Sequence, residues 1–225
     1  MSITENVQRI RAELPAGVLL VAASKMNGPE AVREAVAAGV DACGENRVQE
    51  LLEKNEALAY AGAQLHFIGH LQRNKVKSVV GLCDLIQSVD SEELLQLIDK
   101  RAAALGLRQD ILLEVNIGGE EAKSGVAPSA LDALLLAASP MEHLRVRGLM
   151  TVPPICAEKD EVRRYFSAMY KLFVDIGRKK YDNIFMDFLS MGMSADYREA
   201  VLEGANMVRV GSAIFGARVY PTQRS

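Results

Sequence analysis

The stretch VLLVAASKMNGPEAVREAVAAGV, residues 18–40, decides the fold. Its first seven residues form an apolar run that reads as a strand buried on both faces, the habit of a parallel sheet. Pro29 suits the first turn of a helix, and Gly39 suits its stop. Between strand and helix stands ASKMNG, with no GxGxxG. An open doubly wound sheet usually carries that fingerprint after its first strand. A βα unit without it points instead to a closed (β/α)8 barrel, with the open sheet as the rival.

Outward from this unit the same rhythm repeats. Short apolar runs are expected at 40–43, 65–69, from Asp84, from Ile111, from Leu144, from Asn183 and from Asn206. Helical patterns fill the intervals: 45–59, 71–79, a helix capped by an Asp90/Glu93 box and ending at Gly106, one opened by Pro128, one over 160–177, one over 195–203 and a short turn from Ser212. Eight such units in about 200 residues match a TIM barrel. Ahead of it, Ser2 with Glu5 forms a capping box, and Ile3, Val7 and Ile10 recur at helical spacing, which predicts an extra N-terminal helix. Nothing resembles a linker, so the expectation is one domain over residues 1–225.

Composition narrows the function classes. The 225 residues are 49% hydrophobic and 24% charged, with a net charge of -3. That excludes a disordered chain and offers no global basic field for nucleic acid. No apolar run reaches the ~20 residues of a membrane span, and the N-terminus lacks a signal-peptide core. A cytoplasmic protein with no membrane partner is expected. Cys43, Cys83 and Cys156 form no CxxC and read as thiols of a reducing compartment. His66, His70 and His143 show no zinc spacing.

Barrel active sites form at the C-terminal ends of the strands. Lys25 follows the first strand. Desolvation there disfavours the ammonium form and leaves a nucleophilic amine, the group that bonds to carbonyl carbons; the plainer reading is a lysine reaching out to solvent. The seventh and eighth strands end in SMGMS and VRVGS. Glycines there allow close backbone approach, successive amides can cradle an anion, and Ser190, Ser194 and Ser212 add hydroxyls. The plainer reading is a pair of tight turns. Phosphate sites in barrels often follow strands seven and eight. Together these ends suit a phosphorylated carbonyl compound, and pyridoxal 5′-phosphate fits that description.

The sequence resembles the pyridoxal phosphate homeostasis protein family, single-barrel relatives of the N-terminal domain of alanine racemase. The residues that carry the likeness are Ser24-Lys25, GENRVQE from Gly44, HFIGHLQRNK from His66, GLMTVPP from Gly148 and LSMGMSADYREAVLEGANMVRVGSAIFGAR from Leu189. Leu65 and Arg47 depart from the family pattern. The resemblance implies that Lys25 forms the internal aldimine and that Asn46 lies near the ring substituents. It also implies that Ser190, Gly211 and Ser212 form the phosphate cup, with Met191, Gly192, Met193 and Ser194 beside it. Arg209 would face the pyridine nitrogen; the other reading of Arg209 is a salt bridge at the barrel mouth. An arginine there only donates, which leaves the ring a weak electron sink.

The implied function is that of a carrier: the protein holds pyridoxal 5′-phosphate and helps supply it to apo-forms of dependent enzymes, as a monomer and without established turnover. The alternative is a pyridoxal phosphate-dependent amino-acid racemase or a related fold-type III enzyme. Racemisation needs a second base opposite the lysine, which two-domain racemases draw from another domain. With the chain ending at Ser225, no such domain is expected.

Overall fold

In the computed structural model, residues 1–216 are described. Among them eight parallel strands close a barrel in chain order, the eighth pairing with the first. The strands are β1 Leu19–Ala23, β2 Ala42–Glu45, β3 Gln64–Phe67, β4 Leu85–Val89, β5 Gln109–Glu114, β6 Leu144–Met150, β7 Ile184–Ser190 and β8 Met207–Val210. The helices are α1 Ile3–Glu13, α2 Pro29–Ala37, α3 Val48–Glu56, α4 Val76–Val79, α5 Glu92–Leu105, α6 Leu131–Ala138, α7 Lys159–Gly177, α8 Tyr197–Leu202 and α9 Ser212–Phe215. The end of the expected 1–225 domain, and Ala217 and Arg218 of the GAR motif, lie outside the described residues.

Strand alternation sorts the side chains into two cores. Val21, Ala42, Leu85, Leu112, Met150 and Met207 fill the barrel interior. Leu20, Ala22, Cys43, Ile86, Leu113 and Val208 face the other way and pack with the helices. Burial on both faces is why these strands read as unbroken apolar runs. Ahead of the barrel, α1 forms the expected Ser2/Glu5 box. It buries Val7 and Ile10, and its Asn6 amide donates to the Ile214 carbonyl at 2.9 Å.

Several boundaries move. The second strand runs to Glu45, two residues past the expected end, because the Glu45 carboxylate has a buried lysine partner. The third helix therefore starts at Val48, and the expected helix at 71–79 shrinks to a 3-10 turn and one α-turn. The Asp90/Glu93 box does not form. Ser91 stands at the cap of α5, the Asp90 carboxylate accepts instead from the Gly125 amide at 3.2 Å, and Glu93 pairs with Arg73 at 2.6 Å. Holding the loop after β5 takes precedence over the local cap. At the other end of α5, Gly106 adopts the expected left-handed cap, φ 66°. No described helix is long and apolar enough to cross a membrane.

Candidate cofactor site

Lys25 lies half-buried in the turn leaving β1. The next residue, Met26, is held at φ 63°, a left-handed conformation that non-glycine residues rarely adopt. Its amide donates to Glu50 Oε2 at 2.7 Å. Asn46 follows β2. Gly69, two residues past β3, packs so closely that an added Cβ would sit 2.3 Å from the Asn46 carbonyl oxygen. A side chain at Gly69 would displace Asn46 from the mouth. Asn46 Oδ1 is buried without a hydrogen-bond partner among the described residues. An orphaned amide oxygen in a cleft is a polar group waiting for a ligand donor.

Inside the barrel runs a polar ladder that the sequence reading did not assemble. Gln87 Nε2 can only donate, so His66 Nδ1 accepts from it at 2.9 Å, and the His66 Nε2 proton goes to Gln64 Oε1 at 3.1 Å. Gln87 Oε1 accepts from the Ser190 hydroxyl at 2.7 Å. Ser190 Oγ in turn accepts from Arg209 Nη1 at 2.7 Å, and Arg209 Nη2 donates to the Thr151 carbonyl at 2.8 Å. The Arg209 guanidinium is thus oriented by two fixed acceptors and, among the described residues, by no salt bridge; burial pulls its pKa down to about 10. Ser190, expected in the phosphate cup, has its hydroxyl engaged on both sides beneath Arg209.

Glu114, on β5 opposite β1, is the ionisable group of this interior that sequence reasoning missed. Burial, and then the charge of Asp90, push its pKa up to about 7. Burial drives the His66 pKa down to about 4. The two shifts act oppositely on stability. His66 stabilises the fold above its ordinary 6.5 and loses that contribution as pH falls towards 4. Glu114 contributes fully below 4.5 and loses its contribution as pH rises through 7. Each slope reaches about 1.4 kcal/mol per pH unit, and in their common window they cancel. We therefore expect Glu114→Gln to gain stability relative to the parent protein as pH rises through that window, and His66→Gln to lose it. Urea midpoints between pH 4.5 and 7.5 check this; parallel profiles for all three proteins would contradict it.

After β7 and β8 the two turns meet. The amides of Gly211 and Ala213 both donate to Ser194 Oγ, at 3.1 and 3.2 Å. Two backbone donors converging on one oxygen is the geometry that a phosphate oxygen requires. Gly192 serves close packing instead: its φ is 91°, and an added Cβ would meet Ala200 Cβ at 2.6 Å. Met191 is fully buried outside the barrel, and its amide donates to Met207 O. Met193 borders a groove with Pro153, Pro154 and Val162, and Ser212 is exposed at the start of α9. Arg47 stands on the exposed rim and Leu65 is buried in the outer core, so neither departure touches the ladder. The mouth therefore gathers Lys25, Asn46, Arg209, Ser194, Gly211 and Ser212. It places Met191 and Ser190 behind them as support. An amine after β1 and oxygen-binding amides after its neighbour β8 suit pyridoxal 5′-phosphate.

A barrel so equipped belongs to a defined class: the alanine racemase N-terminal domain family model matches residues 1–219. A protein of Aquifex aeolicus named pyridoxal phosphate homeostasis protein is 44% identical over 201 residues, covering 89% of this chain and 87% of that protein. One of the same name in Escherichia coli K12 is 38% identical, covering 92% and 88%. PipY of Synechococcus elongatus PCC7942, solved with PLP bound, superposes at TM-score 0.88 with 35% identity, covering 96% of this chain and 100% of that one. The chain belongs to the pyridoxal phosphate homeostasis protein family. Alanine racemase of Clostridium difficile 630 shares the fold at TM-score 0.75 and 18% identity, and this chain covers 60% of it.

Proposed function

We propose that the protein binds pyridoxal 5′-phosphate through Lys25 and serves its homeostasis as a carrier, holding the reactive aldehyde and yielding it to apo-enzymes. The observation that carries this reading is the pairing of Lys25 after β1 with the converging Gly211 and Ala213 amides before and within α9. When bound, the compound would supply an aldehyde carbon, and Lys25 would supply the amine for it. The chain's own residues do the rest. The amides and the Ser194 hydroxyl hold the phosphate, Asn46 Oδ1 takes a ring donor, and Arg209, fixed by Ser190 and Thr151, presents donors to the ring nitrogen. Such an arginine leaves the ring without a proton and a poor electron sink, which suits storage better than turnover. A single barrel, a monomer and a cytoplasmic setting complete the proposal.

The test mixes the loaded protein with an apo-enzyme that depends on pyridoxal 5′-phosphate, in the presence of L-alanine. Activation of the apo-enzyme is expected, with no D-alanine on chiral chromatography from the carrier alone. D-alanine formation near the ~10 per second typical of enzymes would replace the carrier reading with a racemase one.

A further inference from the structure

Between the barrel wall and α3 lies a buried charged cluster that the proposed function does not use. Lys54 and Glu45 are 5% and 0% exposed. Lys54 Nζ makes three contacts: Glu45 Oε1 at 2.7 Å, the Ser24 carbonyl at 2.9 Å and Glu50 Oε2 at 3.4 Å. Glu45 Oε1 also accepts from the Ser24 hydroxyl at 2.6 Å and from Tyr60 OH at 3.2 Å. Burying such a cluster is costly, and apolar side chains of similar volume usually serve stability as well or better. Its contacts show where it acts. The Ser24 carbonyl belongs to the peptide unit before Lys25, and the Met26 amide, held by Glu50, belongs to the unit after it. Both peptide planes flanking Lys25 are therefore tied to α3. Met26, directly after the second unit, is left-handed and strained, of the kind that persists only where its surroundings over-determine it.

We propose that Lys54, acting with Glu50, is a positioning residue for Lys25: it clamps the two peptide units that flank Lys25 and so aims the Lys25 amine at the incoming carbonyl. The proposal rests on the reading that Lys25 bonds the cofactor. A clamp of this kind acts on the covalent step, where direction of approach matters. It leaves untouched the amides of the neighbouring turn after β8, which α3 does not hold.

The experiment separates those two quantities. The rate of covalent attachment is followed by the visible absorbance that grows on adding pyridoxal 5′-phosphate. Non-covalent affinity is measured with pyridoxine 5′-phosphate, which has the phosphate and ring but an alcohol in place of the aldehyde. Lys54→Met should slow attachment by about tenfold or more while leaving pyridoxine 5′-phosphate affinity within about twofold. Glu50→Ala, on a more accessible side chain, should slow attachment too. Glu50→Gln, which keeps an acceptor for the Met26 amide, should restore it. Should Lys54→Met fail to fold, the Glu50 pair decides alone. Equal losses in rate and affinity, or an unchanged attachment rate in Glu50→Ala, would overturn the clamp. Borohydride labelling of the parent protein on a residue other than Lys25 would instead overturn the reading beneath it.

Discussion

Borohydride reduction of the loaded native protein should leave the cofactor on Lys25, and Lys25→Ala should abolish both the adduct and the visible absorbance. The selectivity follows from where the other amines sit. Lys54 is buried with its donors engaged by Glu45, Glu50 and Ser24. Lys123 donates to the Pro153 carbonyl and pairs with Glu120. Lys159 and Lys179 pair with Glu199 and Asp132 on the outside of the barrel. Lys25 alone among these follows a barrel strand at the mouth, where it would meet a compound whose phosphate is held, as proposed, after β8. The variant should fold, because β1 is anchored by Leu20, Val21 and Ala22, each fully buried, and not by the turn beyond them. Peptide mapping by mass spectrometry locates the adduct. Finding it on Lys123 after brief reduction would sink the assignment, while circular dichroism verifies that Lys25→Ala retains the parent fold.

The barrel was legible because its signals are local. Runs such as those around Val21 and Leu112 are apolar on both faces, and Gly39 and Gly106 punctuate the helices where the chain turns left-handed. Lys25 and Gly211 were legible for a related reason: they stand at strand ends, which a reader of parallel strands can number. The ladder was not. His66, Gln87, Ser190 and Arg209 come from four strands, and each is a polar residue within a largely apolar run. Only the closed register, with its irregularities between Ile86 and Val89 and on both sides of β6, turns them towards one another. Glu114 was hidden in the same way within ILLEVNI. Lys54 was disguised differently. Four residues after Glu50 on a helix, it reads as half of a surface ion pair. Its burial depends on Glu45 completing β2, which the expected end of that strand at Cys43 left out. The Asp90/Glu93 box shows the converse error, a local pattern overruled by a loop that needed the same carboxylate.

The phosphate should dominate retention of the ligand. On a Lys25→Ala background, where no covalent bond masks the comparison, pyridoxal 5′-phosphate should bind at least about a hundredfold more tightly than pyridoxal. Two amide donors at ~1.5–3 kcal/mol each give that factor or more. The decisive variant is Ala213→Pro. The Ala213 amide donates to Ser194 Oγ, while the bonds of α9 itself run from Ile214, Phe215 and Gly216. Proline in the first turn of a helix is tolerated, so the substitution deletes one oxygen-binding donor and leaves those bonds in place. Pyridoxal 5′-phosphate should lose about tenfold or more in affinity, and pyridoxal nothing. Ser194→Ala should have a smaller effect, because the hydroxyl contributes a donor yet also occupies the point where the two amides converge, and its removal takes away both. Equilibrium dialysis of the two ligands against each variant gives the answer. Equal losses for the phosphorylated and unphosphorylated forms in Ala213→Pro would mean that the phosphate is held somewhere other than the turn between β8 and α9.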